Sequence, residues 1–372
     1  MNSKAKIKLL HITSSLKIGG AERVLCDLIQ YLDSNIFEHH VIYFHAGPHV
    51  QTLHELGVPT YHIRGAISLY DPIFFARLYR TIKKINPDTM HTLLWAANVS
   101  GRIVGKLLKI PVMSAYHNNV DQDGALRAWF DRATLKWAHQ LVAVSDGVAQ
   151  SLQLRDPWLQ APRLVVIPNG IDTSVLHANN QREAVSRAPL GLAEHDFVVG
   201  SVGRFVPVKR YDLLIDAFAL AHQHNNALKL LLVGVGPLEQ ELRAHARKHG
   251  LEAVVTFVIG QPAYRYYRIF DCFAQTSDKE GISIALLEAM SFGVPCVVTT
   301  MEKGHAVIEH LQTGVLVAAG DAHAIAHNFL MMAQNHAVRR SISHSASQLI
   351  NHKFRLDRMI ERYTAVFLAS VV

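Results

Sequence analysis

The chain has 372 residues, 49% of them apolar and 18% charged, which is ample material for folded cores and excludes a disordered or low-complexity protein. At about 100–200 residues per domain the length fits two domains. Lys and Arg number 37 against 30 Asp and Glu, a net +7 that points to an anionic partner.

Apolar runs at 8–13, 41–45, 112–116, 141–144 and 164–167 read as buried strands. Segments with helical period at 21–32, 73–85, 98–108 and 126–137 lie between them. The pattern then restarts. Strands are expected at 197–202, 229–233, 254–258, 271–275, 295–298 and 314–317, with helices such as 211–222 and 238–249 between. This alternation implies an α/β protein with parallel sheets covered on both faces. The polar, weakly periodic stretch 172–195 breaks it. The expected organisation is a Rossmann-like domain over 1–175, a linker over 176–195 and a second Rossmann-like domain over 196–353. A helix over 354–372 follows, with Phe354, Met359, Tyr363 and Phe367 at helical spacing, and it either completes the second domain or crosses back to the first. Ligands of such sheets bind beyond the carboxyl ends of the strands, which for two facing domains is the cleft between them.

Cys26, Cys272 and Cys296 are far apart and form no CxxC pair, so a zinc knuckle or disulfide framework is excluded and a reducing compartment favoured. The apolar run after residues 1–8 ends at Thr13-Ser14-Ser15, too short for a signal peptide. The longest apolar candidate, 282–298, is broken by Glu288, Gly293 and Pro295, and so falls short of a spanning helix. A cytoplasmic protein, at most lying on a membrane surface, is expected. Residues 1–180 hold 18 Lys and Arg against 13 Asp and Glu. Seven of those cations (Arg77, Arg80, Lys83, Lys84, Arg102, Lys106 and Lys109) stand with only Asp88 among residues 77–109. They form either a solvated helical face or, with Phe74, Phe75, Leu78, Tyr79 and residues 129–137, a surface for anionic lipid. Nucleic acid is disfavoured, because the charge is moderate and no aromatic–basic platform is evident.

Chemistry concentrates in a few loops. Between the strand at 271–275 and a helix beginning near Ser283 lies a small-residue loop. The free N–H groups and dipole of that helix start form an anion site. Glu280 stands on the loop and Glu288 in the helix. Two carboxylates beside an anion site are poor phosphate ligands and good acceptors for sugar hydroxyls, though a surface Glu and a capped helix would read the same. Gly203-Arg204-Phe205-Val206-Pro207-Val208-Lys209 follows the strand at 197–202, where a guanidinium fork and an ammonium can neutralise a diphosphate. Gly19-Gly20-Ala21-Glu22 opens the first helix and allows close backbone approach, or is simply a tight turn. Gly234-Val235-Gly236 has Glu239 where a dinucleotide fingerprint has its third glycine, which disfavours a Rossmann dehydrogenase. His117 ends the strand at 112–116. Asp121-Gln122-Asp123 matches a DxD metal motif in form only and is read as a loop. No HExxH, GxSxG or P-loop is present.

Taken together and in order, these residues resemble the retaining glycosyltransferases of the GT-B fold, specifically family 4 (glycosyl transferases group 1). The resemblance rests on Glu280-x7-Glu288 with Gly281, followed by Leu287-Glu288-Ala289-Met290-x-x-Gly293-x-Pro295. Supporting matches are Gly19-Gly20-Ala21-Glu22-Arg23, Val144-Ser145, Ile167-Pro168-Asn169-Gly170-Ile171-Asp172, Gly203-Arg204 with Lys209, Gly234-x-Gly236-Pro237 and Gly314. It implies that Arg204 and Lys209 bind the donor diphosphate as leaving group and that Glu288 takes the nucleotide ribose. Glu280 would hold donor-sugar hydroxyls, while Gly281, Ile282, and the N–H groups of Ser283 and Ile284 meet phosphate. His117 would approach the donor sugar, and Gly19, Gly20 and Gly203 would line the donor site. Ser283 stands where many members have glycine or proline, and a capping Ser suits that place. The implied reaction needs no metal and no cofactor. It moves a sugar from a nucleotide-diphosphate sugar, a UDP-sugar on family frequency, to a saccharide or lipid-linked acceptor of a cell-surface glycan. A GT-B-like sugar-nucleotide epimerase or phosphorylase, and a non-catalytic sugar-nucleotide or membrane-binding subunit, are the alternatives.

Overall fold

The computed structural model describes residues 5–65, 71–120, 124–160, 162–278, 280–300 and 305–371. The Asp121-Gln122-Asp123 motif lies outside the described residues. The chain divides into two units, Met1–Asn169 with Arg358–Val372, and Gly170–Asp357.

The first unit runs β1 (Ile7–Ser15), α1 (Gly20–Tyr31), β2 (Phe37–His45), α2 (His49–Glu55), β3 (Thr60–His62), α3 (Pro72–Ile85) and β4 (Thr89–Leu93). It continues through α4 (Trp95–Leu108), β5 (Val112–Tyr116), α5 (Ala125–Leu135), β6 (Gln140–Ala143), α6 (Asp146–Arg155) and β7 (Leu164–Val166). Its strands form one parallel sheet in the order β3-β2-β1-β4-β5-β6-β7. Strands β3 and β4 both lie outside the apolar runs, and β4 is the central one. Its Thr-Met-His-Thr-Leu letters look polar, yet all five residues are buried. Its polar groups pair mostly inside the fold: Thr92 Oγ1 and Ser114 Oγ lie 2.9 Å apart, His91 Nδ1 meets His11 Nδ1 at 3.1 Å, and Thr89 Oγ1 takes Ser370 Oγ at 2.8 Å.

The second unit runs α7 (Thr173–Glu183), β8 (Phe197–Val202), α8 (Tyr211–His222), β9 (Leu228–Gly234), α9 (Glu239–Lys248), β10 (Val255–Ile259) and β11 (Cys272–Gln275). Then follow α10 (Ile284–Ser291), β12 (Cys296–Thr300), β13 (Val315–Ala318), α11 (Ala322–Gln334) and α12 (His336–Lys353). Its parallel sheet has the order β10-β9-β8-β11-β12-β13. Alternate residues of its central strands enter different cores. Val199, Leu230 and Leu232 join one, Val198, Leu231 and Val233 the other, so the apolar runs mark strands buried on both faces. In both sheets the strand order reverses beside the first strand of the unit, at β1/β4 and at β8/β11. That reversal point is where open α/β sheets bind ligands.

Residues 176–195, expected as a linker, carry most of α7 and a short 3-10 turn, Ala188–Leu190. Asp172 caps α7 by accepting from Val175 N at 2.9 Å. Asn180 is fully buried and donates from Nδ2 to Tyr264 O at 2.6 Å, so a polar letter here is a packed one. The change of unit falls earlier, between Asn169 and Gly170. The final helix, α13 (Leu356–Ala369), begins in the second unit, and from Arg358 onward it belongs to the first. There Tyr363 and Phe367 are buried against His91 and His11.

The basic cluster divides. Arg77, Arg80, Lys83, Lys84, Lys106 and Lys109 are exposed, but Arg102 is fully buried. Its Nη1 donates to Tyr116 Oη at 2.7 Å and its Nη2 pairs with Asp131 Oδ1, whose other oxygen takes Arg155 Nη2 at 2.8 Å. Phe74 and Leu78 face the core and offer nothing to a lipid surface.

Candidate active site

The loops after β8 and β11 meet at the strand-order reversal of the second unit. The first is shaped by glycine. A Cβ at Gly234 would lie 1.9 Å from Gly203 O, and one at Gly236 would lie 2.3 Å from Phe205 O. Only bare backbone lets residues 203–205 lie so close to 234–236, held by Gly203 N to Val233 O (3.1 Å) and Phe205 N to Val235 O (2.8 Å). The loop then turns through Pro207–Lys209 and reaches Arg210 in the left-handed region at φ 50°. Thr276 Oγ1 ties it to the second loop, donating towards the carbonyls of Lys209 (3.1 Å) and Arg210 (2.9 Å), and Asp278 N donates to Val208 O at 2.9 Å.

This stitching brings Lys209 and Glu280 together. Lys209 Nζ donates to Glu280 Oε1, and Ser277 Oγ donates to the same oxygen at 3.0 Å. Both side chains are about four-fifths covered. Among the described residues Glu280 Oε2 has no partner and remains open to a hydroxyl. Arg204 is exposed, and among the described residues its guanidinium has no ion-pair or hydrogen-bond partner. Three cations therefore stand in one loop: Lys209 paired to Glu280, Arg210 paired to Asp212 and Asp278, and Arg204 without a partner among the described residues.

Helix α10 supplies the remaining groups. Ser283 is its N-cap and accepts from Leu286 N at 3.4 Å, consistent with a capping role for the residue that departs from the family pattern. The other N–H groups of the first turn, with the positive end of the helix dipole, adjoin Gly281, Ile282, Ser283 and Ile284. Glu288 lies one turn in. Its Oε2 accepts from Tyr267 Oη at 2.7 Å, and Tyr267 is fully buried and stacked on Phe292 at 5.5 Å. Burial, then the adjacent carboxylate, drives the Tyr267 phenol well above its usual pKa, so it stays a donor.

Sequence reasoning missed Tyr267 and His305. Val307 N (3.2 Å) and Ile308 N (3.1 Å) both donate to His305 Nδ1, which leaves Nε2 to carry the proton. Burial lowers this histidine to about 4, with the Glu280 carboxylate pulling the other way, so it is a neutral donor beside Glu280. Neither residue lies in the motif loops, and no periodicity marks them.

In the first unit His117 follows β5, with Nε2 covered and without a hydrogen-bond partner among the described residues. Burial lowers its pKa to about 4, so it is neutral at pH 7. Tyr116, its neighbour, is fixed by Arg102 and Asp131. Gly19 is the N-cap of α1 in ordinary extended geometry. A Cβ there would meet the Glu22 carboxylate at 2.3 Å, the movable end of a side chain, so neither backbone angle nor fixed backbone demands glycine at this position. Gly20 opens α1 and is exposed. Beside them Leu94, at the end of β4, holds φ 70° and ψ 152°, a conformation costly for a residue with a side chain.

Two parallel doubly wound sheets, each with its site at a strand-order reversal, and an acid–cation pair beside a helix start define the class: residues 18–175 match the model Glycosyltransferase Family 4 and residues 183–348 the model Glycosyl transferases group 1. The chain belongs to the family 4 glycosyltransferases of the GT-B fold and is a sugar transferase. Among its relatives is the UDP-Gal:alpha-D-GlcNAc-diphosphoundecaprenol alpha-1,3-galactosyltransferase of Escherichia coli, 22% identical over 386 residues, 100% of this chain and 99% of the relative. EpsF of Bacillus subtilis (strain 168) is 26% identical over 313 residues, 80% of each chain. Among solved structures, HepE of Anabaena in complex with UDP-glucose superposes with a TM-score of 0.84 at 22% identity, covering 98% of this chain and 100% of that one.

Proposed function

We propose that the protein moves a sugar, with retention and without a metal ion, from a UDP-sugar to a saccharide or lipid-linked acceptor in cell-surface glycan synthesis. The observation that carries this reading is the Lys209–Glu280 pair in one loop with Arg204, which has no partner among the described residues, and close to the start of α10. As the sugar–phosphate bond breaks, negative charge grows on the departing diphosphate. Arg204, Lys209 and the α10 N–H groups are placed to take that charge, and preorganised donors of this kind are the largest single catalytic contribution expected. Glu280 Oε2 accepts a hydroxyl of the donor sugar, and Glu288, held by Tyr267, accepts from the ribose. The departing phosphate oxygen takes the acceptor's proton as the sugar–phosphate bond breaks.

The UDP donor draws support from the Escherichia coli relative, whose name specifies UDP-galactose and a diphosphoundecaprenol-linked acceptor, and from HepE, solved with UDP-glucose. A lipid-linked acceptor calls for contact with a membrane. No helix among the described residues is long and apolar enough to cross one. On α5, Leu126 and Trp129 are exposed at 61% and 62% beside the exposed Arg127, Arg132 and Lys136, a face suited to resting on anionic lipid at the cytoplasmic side of a membrane. Flotation with phosphatidylglycerol vesicles should carry the protein, and Trp129→Ala should reduce it. Flotation equal on neutral vesicles would contradict the lipid contact.

The donor is tested by incubating the full chain with a panel of nucleotide sugars and measuring thermal stabilisation and nucleotide release. One UDP-sugar should raise the melting temperature, because a ligand that binds only the folded state stabilises it by mass action. Its release of UDP should depend on acceptor. Conversion of the sugar nucleotide with no acceptor would instead favour an epimerase.

A further inference from the structure

Away from the donor site, three side chains on α8 and α9 converge. His245 lies in α9 and His249 caps its C-terminus, four residues on, so both imidazoles leave the same helical face. Asp216 reaches them from α8. His245 Nε2 lies 2.7 Å and His249 Nε2 3.0 Å from the same oxygen, Asp216 Oδ1, and the two rings meet edge to face at 5.0 Å. The three ligand atoms are all within 4.8 Å of one another, and no other such group of His, Cys, Asp or Glu occurs among the described residues.

We propose that Asp216, His245 and His249 form a binding site for a divalent first-row transition metal ion, Zn2+ or its neighbours, separate from the sugar-transfer chemistry. Zinc holds imidazole nitrogen and carboxylate oxygen at about 2.0–2.2 Å in a tetrahedral set, with water able to fill a fourth place. Three donors already gathered around one point need only a small outward shift of the carboxylate to admit the ion between them. Two imidazoles and one carboxylate suit Zn, Co, Ni or Cu, whereas Mg2+ and Ca2+ prefer oxygen alone. The side chains are between 28% and 41% exposed, so an ion can enter from solvent without opening the core. Both helices belong to the second unit, and α8 starts two residues after Lys209, so the ion would fasten α9 to the helix that follows the donor loop.

Titrating the metal-free full chain with ZnCl2 in a calorimeter should give one equivalent bound, with no response to MgCl2. Zn2+ should also raise the melting temperature, and Co2+ should give visible d–d absorption. His249 is exposed and its replacement leaves the core intact, so His249→Ala should fold and bind Zn2+ more weakly by at least the roughly 10–100-fold that loss of even an outer-sphere partner costs. His245→Ala should do the same and abolish the Co2+ bands. The chain has 23 histidines. If a folded His245→Ala/His249→Ala variant binds one Zn2+ as tightly as the native chain, the ion sits elsewhere and the proposal fails. Absence of any Zn2+ response in the native chain overturns it equally.

Discussion

At Glu280 one oxygen accepts from both Lys209 and Ser277 while the other stays open. On the proposed reading, the ammonium rests against an acid until a diphosphate offers it a second anion, and Glu280 is already turned towards the place of the sugar. Arg204→Ala and Lys209→Ala should each lower kcat by about 10²–10³, the usual effect of removing one such donor. The melting temperature should barely move for Arg204→Ala, since that side chain is exposed and unpartnered. Tyr267→Phe removes the phenol that orients Glu288. It should raise the donor KM about 5–10-fold with kcat little changed, on the order of 1 kcal/mol of binding shared by ground and transition states. Equal loss in kcat would mean that Tyr267 acts in the transition state and not in donor binding. Arg204, Lys209 and Glu280 could be singled out in the sequence because loops at strand ends hold them, and Glu288 because it follows Glu280 in the helix after its loop. Tyr267 and His305 were not, since their importance lies in contacts the chain makes only when folded.

Among elements, the buried ionic network joins α4, β5, α5 and α6. Asp131 sits between Arg102 and Arg155, and both guanidinium groups hold its carboxyl low against the opposing effect of burial. Asp131→Ala should cost about 3–5 kcal/mol, because the fully buried Arg102 loses its carboxylate partner, whereas Arg155 keeps Asp156 at 2.7 Å. Chemical denaturation checks this, and a loss under 1 kcal/mol would mean that water replaces the carboxylate. In the turn before β13, Leu311 is 53% exposed at φ 60°, so Leu311→Gly should stabilise the protein by about 1 kcal/mol. The strand–helix rhythm was readable wherever strands are apolar on both faces. It failed at β4, where His91, Thr89 and Thr92 are buried polar partners, and at α7, whose polar surface resembles a linker. Arg102 likewise read as surface charge because sequence gives no sign of its partner Asp131.

On the scale of the whole molecule, three strands of the first unit share a buried line of imidazoles. His11 Nε2 meets His39 Nδ1 and His11 Nδ1 meets His91 Nδ1, each at 3.1 Å. Desolvation by burial dominates in each: it takes His11 well below the usual value, His39 to about 4 and His91 to about 3. In the folded state they are neutral, while in the unfolded chain they take up protons near pH 6.5. Stability from this cluster is therefore complete above about pH 6.5 and is lost as pH falls from there through 4 towards 3. The melting temperature should drop between pH 7.5 and 5, above the range where Asp131 protonates. A flat profile would contradict neutral burial of these histidines. The central claim, that a nucleotide sugar is turned over at the junction of the β8 and β11 loops, is tested most directly by acceptor-dependent nucleotide release from the native chain and from the Arg204→Ala/Lys209→Ala variant. The native chain should turn over one UDP-sugar, and the variant should give near-background release with a native-like melting profile. A folded double variant that transfers sugar at the native rate would contradict it.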